Sequence, residues 1–235
     1  MKASIFSLLL LTPAAFAETK LQDQLDARSA EAAQNGNPEV RAEYARGIRA
    51  VAKSGLAEKA LKVGDKAPDF TLKNADGKEV TLSKLLKNGP VVMTWYRGGW
   101  CPYCNIALAA MQRRLPEMKA AGAQLIALTP ELPDKTLTTK EKNHLEYEVL
   151  TDLNHGVAKE FGVVFELTPK VRELYKKNFD MAEYNGKEAG EGTLPFAATY
   201  IIDRKGMIRW SFVDADYRKR AEPQTIVDFL ENNEL

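Results

Sequence analysis

Two cysteines, Cys101 and Cys104, stand in the segment Arg97-Gly98-Gly99-Trp100-Cys101-Pro102-Tyr103-Cys104 and account for all the thiols of the chain. Neither can staple a long loop. Thiols at positions i and i+3 of a helix start lie one turn apart, where a disulfide can form and break. The chemistry on offer is therefore a two-electron exchange. Pro102 fixes φ near the value of a first helical turn and gives up an N–H that has no partner there, which places Cys101 at the N-cap. A sulfur at that point faces free N–H groups and the positive end of the helix dipole, and both favour thiolate over thiol. Arg97, four positions earlier on a glycine-rich loop, brings a permanent positive charge toward the same sulfur. In this reading Cys101 attacks and Cys104 resolves, while Trp100 and Tyr103 shield the sulfur from water. The competing chemistry is a metal site. A tetrahedral structural site needs about four ligands, so two sulfurs supply half, and the rest would have to come from a second chain. His144 and His155 are read as surface residues at a loop or helix end.

A reactive sulfur pair needs elements that fix it. The apolar run Val91 to Tyr96, opened by Pro90, has the length and β-propensity of a buried strand. It feeds the cysteine loop. Leu108, Met111, Leu115 and Met118 then recur on one helical face up to Gly122. Gln124 to Thr129 and Tyr147 to Thr151 read as further strands, with helical stretches over 157–161 and 169–177. Residues 199–203, the turn Arg204-Lys205-Gly206, and 207–213 form a hairpin signal. Pro223 starts a last helix carrying Ile226, Val227 and Leu230. A short strand at Phe70 to Leu72 and a turn at Asn74 to Gly77 come earlier. This order predicts an α/β fold whose mixed sheet is antiparallel at its ends, parallel in its middle, and covered by helices on both faces.

Ahead of it, residues 18–61 read as an N-terminal helical extension. Asn37-Pro38 caps a helix on which Val40, Tyr44, Ile48 and Val51 recur at helical spacing, and a shorter helix lies around Leu21 and Leu25. The apolar seam is read as packing on its own domain, with a homodimer contact as the alternative. Residues 1–17, with Lys2, an apolar run from Ile5 to Leu11 and Ala15-Phe16-Ala17, have the order of a Sec-type signal peptide cleaved after Ala17. The run is shorter than the ~20 apolar residues that span a bilayer, so no membrane span is expected in the mature chain. Secretion, most simply to a bacterial periplasm, is the expectation. In an oxidising compartment a reduced thiol pair needs a supply of electrons. Thirty-three basic against 32 acidic side chains, a formal net charge of +1, leave no field that would select nucleic acid or an anionic membrane.

Four stretches together resemble a peroxiredoxin-like branch of the AhpC/TSA family within the thioredoxin superfamily: Val63 to Leu72, Trp95 to Asn105, Leu194 to Asp203 followed by Gly206, and Asp214 to Pro223. The resemblance implies a thioredoxin-like fold for residues 62–235, a redox-active pair at Cys101 and Cys104, and reduction of peroxides or disulfides without a cofactor. Departures from the family pattern are specific. Counted back from Cys101, the proline and threonine of the Pro-x-x-x-Thr-x-x-Cys signature fall on Thr94 and Gly98, and the second active-site arginine falls on Ala197. Arg97, with Arg220, then has to substitute. Against thioredoxin, the buried carboxylate position is Trp95 and the cis-proline position is again Ala197, with Pro195 displaced by two. Thr129, Trp100, Pro102, Tyr103 and Pro195 are expected to line the site, and Tyr103 between the cysteines is similar to glutaredoxins, which implies glutathione as a reductant beside a thiol protein. The expected function is reduction of hydroperoxides, Cys101 thiolate attacking and Cys104 closing the disulfide. Two alternatives are thiol-disulfide exchange on proteins and, outside enzymology, a module carrying metal on the two sulfurs.

Overall fold

The computed structural model describes residues 19–190 and 192–235; the signal-peptide reading falls on residues outside these. The chain begins with α1 (Leu21–Asn35) and α2 (Pro38–Lys53), the latter capped by the Asn37 side chain, which accepts from the Glu39 and Val40 N–H groups. Then follow β1 (Thr71–Asn74), β2 (Glu79–Thr81), α3 (Leu82–Leu86), β3 (Val91–Trp95), α4 (Pro102–Arg113), α5 (Leu115–Ala120) and β4 (Gln124–Thr129). The second half holds α6 (Pro133–Lys142), β5 (Glu148–Thr151), α7 (Gly156–Glu160), β6 (Val164–Glu166), α8 (Pro169–Asn178) and α9 (Met181–Gly190), then β7 (Thr193–Pro195), β8 (Ala197–Ile202), β9 (Ile208–Asp214) and α10 (Pro223–Glu231).

Seven strands form one sheet in the order β2-β1-β5-β4-β3-β8-β9, and β6 pairs with β7 in a second. β3 runs parallel to β4 and β4 to β5, whereas β1–β5, β3–β8 and β8–β9 are antiparallel. The mixed sheet with antiparallel ends is as the sequence predicts. Alternate residues of the central strands serve two cores. Met93, Trp95, Ile126, Leu128, Leu150, Tyr200 and Ile202 pack with Phe161, Val163 and Val171 on one face. Val92, Leu125, Ala127, Val149 and Ile201 pack with the cysteines, α4, α5 and α10 on the other.

The N-terminal helices belong to these cores. Leu21 and Leu25 are buried against α4; burying a leucine contributes roughly 1.5–3 kcal/mol. α2 packs on α8, with Val51 buried and the Tyr44 ring 5.6 Å from that of Tyr175. The seam thus meets its own chain.

Two expectations change. The helical face expected up to Gly122 breaks at Arg114 (φ −98°, ψ 5°), because Pro116 has no N–H to give the preceding turn. His155 is not a surface residue but is only 1% exposed, with its Nε2 3.2 Å from the Thr193 carbonyl. Asp152 draws the chain inward there, its carboxylate accepting the N–H groups of Val157 and Ala158, both at 2.9 Å. His144, by contrast, is exposed. Pro195 is preceded by a trans bond, as is every described residue, and it lies buried in β7 opposite Val164. No helix of the described residues is long and apolar enough to cross a membrane.

Candidate active site

The cysteine loop joins the C-terminal end of β3 to α4, at the edge where open α/β sheets place their ligands. Tyr96 still donates its N–H to Leu128 (3.0 Å), and the turn closes with the Cys101 N–H on the Gly98 carbonyl (3.0 Å). Both glycines are required. Gly98 has φ 149°, and a Cβ there would sit 2.2 Å from the Trp100 indole nitrogen. A Cβ on Gly99 would sit 2.1 Å from Thr139 Oγ1. Cys101 is the N-cap, with Pro102 in the first turn of the helix, as the sequence implies. Asn105 ties the first turn back to the loop, its amide donating to the Gly99 carbonyl at 2.8 Å.

Both cysteines are free and buried, Cys101 2% exposed and Cys104 0%. Two arginines reach them. Arg97 is 2% exposed, and its guanidinium carbon lies 4.3 Å from the Tyr217 ring centre, 5.0 Å from Trp100 and 5.7 Å from Tyr175. One Nη donates to the Tyr175 hydroxyl, while Nε has no partner among the described residues. Asn185 braces this corner, donating to the Arg97 carbonyl at 3.2 Å and accepting from the Trp100 indole at 3.5 Å. Arg220 is held by its side chain, Nε donating to the Tyr217 carbonyl (3.0 Å) and Nη1 to the Trp95 carbonyl (3.4 Å). Its remaining Nη2 donates to Cys104 Sγ at 3.3 Å.

The contacts around the two sulfurs favour a negative charge unequally. Burial pushes the Cys101 thiol well up, and its S–H bond to Cys104 and the Cys104 charge add to this against Arg97 and Arg220. Burial works against a charge on Cys104 too, but the Cys101 S–H, Arg220 and Arg97 outweigh it and hold that thiol well below the usual range. An N-cap position alone does not decide which sulfur ionises; a directed guanidinium favours the charge on the sulfur it touches.

Of the other expected lining residues, Trp100 stacks in the Arg97 cluster, and Tyr103 reaches out to α1, its hydroxyl 3.3 Å from Ser29 Oγ. Pro102 is exposed at the mouth. Thr129 is buried and accepts the Glu131 N–H at 3.3 Å. Pro195, on the second sheet, is not brought to the sulfurs by any described contact. Sequence reasoning missed Tyr175, Tyr217, Asn185 and Glu131. The last carries a readable signal, an acidic residue two positions beyond a buried parallel strand. Among the described residues no cluster of three His, Cys, Asp or Glu side chains is placed to hold a metal.

The model of the AhpC/TSA family matches residues 63–211. The chain belongs to the AhpC/TSA family. Among similar AhpC/TSA proteins, peroxiredoxin Bcp of Escherichia coli is 31% identical over 154 residues, 66% of this chain and 86% of that protein. A chloroplastic peroxiredoxin Q of Triticum aestivum is 29% identical over 164 residues, 70% of this chain and 64% of the relative. The match thus spans less than two thirds of the chloroplastic proteins. Peroxidoxin BcpB from Mycobacterium tuberculosis has the same fold, with a TM-score of 0.58 at 21% identity over 74% of this chain and 99% of that one.

Proposed function

We propose that this chain is a secreted, periplasmic thiol peroxidase that reduces hydroperoxides through the pair Cys101 and Cys104, with the two sulfurs in the opposite roles from those the N-cap argument gives. The observation that carries the reading is the Arg220 Nη2 contact at 3.3 Å to a Cys104 sulfur withdrawn from solvent. The Cys104 thiolate attacks the O–O bond, becomes a sulfenic acid and releases an alcohol or water. The Cys101 thiol then condenses with it, expelling water and closing the disulfide. Counted back from Cys104, the signature positions of proline and threonine fall on Arg97 and Cys101, so neither cysteine completes that signature.

The same geometry supports the return. An incoming thiolate attacks the Cys101 sulfur, the one beside the exposed Pro102, and the leaving sulfur is Cys104. A leaving thiol of low pKa departs faster, and Arg220 is in place to receive its charge. The second thiol of the donor then frees Cys101. A thiol protein with two cysteines fits this step, and glutathione used twice fits it as well. Thiol-disulfide exchange with a protein would have to begin at Cys101, the sulfur without the directed cation, whereas a small hydroperoxide can reach the Cys104 thiolate beside Arg220, which favours peroxide over exchange as the oxidising substrate.

Stopped-flow oxidation of the reduced protein by hydrogen peroxide, followed by tryptophan fluorescence, tests this. A second-order constant well above that of a free thiolate, kept in Cys101→Ser and abolished in Cys104→Ser, is expected. A constant no better than a free thiolate removes the peroxidase and leaves thiol-disulfide exchange.

A further inference from the structure

Glu131 follows β4 and is only 1% exposed, yet no step above uses it. Its Oε1 accepts the Gly99 N–H at 2.8 Å, two residues ahead of Cys101. Its Oε2 accepts from the Tyr96 hydroxyl at 2.8 Å and the Thr139 hydroxyl at 3.0 Å. No cation is among these partners. The cage serves either protonation state, because the backbone N–H can stay on Oε1 while a hydroxyl turns from donor to acceptor for a proton on Oε2. Glu131 also lines a cleft of about 340 Å³ with Gly99, Pro102, Asn105, Lys135 and Lys142, which gives a proton a way in and out.

We propose that Glu131 is a positioning residue that holds the cysteine loop through Gly99 and takes up a proton when the disulfide is reduced, releasing it when the disulfide forms. This rests on Cys101 and Cys104 being the redox pair. The balance is complete. A dithiol donor gives two electrons and two protons, which leave Cys104 as thiolate, Cys101 as thiol and Glu131 as the neutral acid. A hydroperoxide then takes the two electrons and the protons of Cys101 and Glu131 to become alcohol and water. The single negative charge of the buried site moves from Cys104 to Glu131, so the site never gains or loses net charge.

The electrostatics agree. Burial pushes the Glu131 carboxyl up to about 7; the bonds from Gly99, Tyr96 and Thr139 oppose this, and the Cys104 charge raises it further. A disulfide removes that last contribution. The groups facing Glu131 are Tyr96 after β3, kept neutral by burial and by Glu131 itself, Cys104 on α4, Thr139, Lys135 and Lys142 on α6, and Tyr184 on α9. Lys135 is within ion-pair reach of Asp134 and Glu183.

Two measurements on the full chain decide it. The reduced-minus-oxidised infrared difference spectrum near neutral pH should show the C=O stretch of a protonated carboxyl in the reduced form, lost in Glu131→Gln. The pH dependence of the disulfide's reduction potential should give a proton uptake per two electrons that rises toward two near neutrality in the wild type and stays near one in Glu131→Gln. Gln keeps an acceptor for Gly99, so a merely structural role leaves the proton count unchanged, and that result overturns the proposal. Should Glu131→Gln not fold, a wild-type spectrum with no carboxyl band overturns it alone. Neither readout requires peroxide, so the proton count and the peroxide rate constant fail separately.

Discussion

Arg97 and Arg220 approach the same pair of sulfurs and are held in opposite ways. Arg97 is sealed among Trp100, Tyr175 and Tyr217, gives one hydrogen bond to a phenol, and keeps Nε without a partner among the described residues. Burial works against its charge; the Tyr175 and Tyr217 oxygens and the two sulfurs hold its pKa above the ordinary value instead. Arg220 is half-buried, spends two nitrogens on main-chain carbonyls, and aims the third at Cys104. The first supplies charge without direction. The second supplies a directed bond to one sulfur and so chooses between the two cysteines. The contrast teaches that, in the proposed mechanism, the reactive thiol is selected by a contact from late in the chain rather than by the helix start.

The largest effect that would break this contrast is at Arg220. Arg220→Met removes a charge-assisted bond worth about 1.5–3 kcal/mol, and the peroxide rate constant at neutral pH should fall by about ten- to a hundredfold in stopped-flow, with the acid limb of its pH profile moving to higher pH. A rate unchanged by this variant would show that Cys104 does not depend on the directed bond. Arg97→Met should lower the rate by less, about tenfold, because its charge acts on both sulfurs at once. Arg97 carries its charge buried with one bond to a phenol and Nε without a partner among the described residues, so an apolar side chain of similar length removes a desolvation cost and the urea midpoint should hold or rise. A midpoint that drops sharply would mean the aromatic cluster is built on the cation. Tyr175→Phe, which leaves the Arg97 guanidinium without that acceptor, should cost about 1–3 kcal/mol of stability and move the peroxide rate little. Equal effects on both would dissolve the distinction between holding charge and directing it.

Away from the sulfurs, His155 gives an effect confined to acid pH. Burial lowers its pKa from 6.5 to about 4, so between these values the unfolded chain binds a proton that the folded chain does not. Stability should therefore fall as pH drops from 6.5 to 4, by up to roughly 3 kcal/mol. In His155→Gln this part of the acid loss should vanish from urea melts taken across that window.

Much of the scaffold was legible because the signals were local. Pro102 placed Cys101 at the cap, the alternation of β8 and β9 around Arg204-Lys205-Gly206 gave the hairpin, and the run from Val91 gave β3. α6 escaped because its sequence from Pro133 to Lys142 carries almost no apolar face; it is ordered through buried Thr136 and Thr139, whose hydroxyls bond to Thr151 and Glu131. His155 was misjudged because its burial follows from Asp152 gripping α7. At the site, Cys101, Cys104, Arg97 and Arg220 were readable as a set. Which sulfur carries the charge was not, since that depends on a contact across 116 residues from Arg220 to Cys104. Tyr175 and Tyr217 escaped for the same reason.

The central claim is that Cys104 is the ionised sulfur of the reduced pair. Ultraviolet titration of thiolate absorbance in the two single variants tests it most directly. Cys101→Ser, which keeps Cys104 and offers it an O–H in place of the S–H, should form its thiolate well below the usual thiol range, while Cys104→Ser should show none until well above that range. The reverse, a thiolate at neutral pH in Cys104→Ser and none in Cys101→Ser, would contradict it.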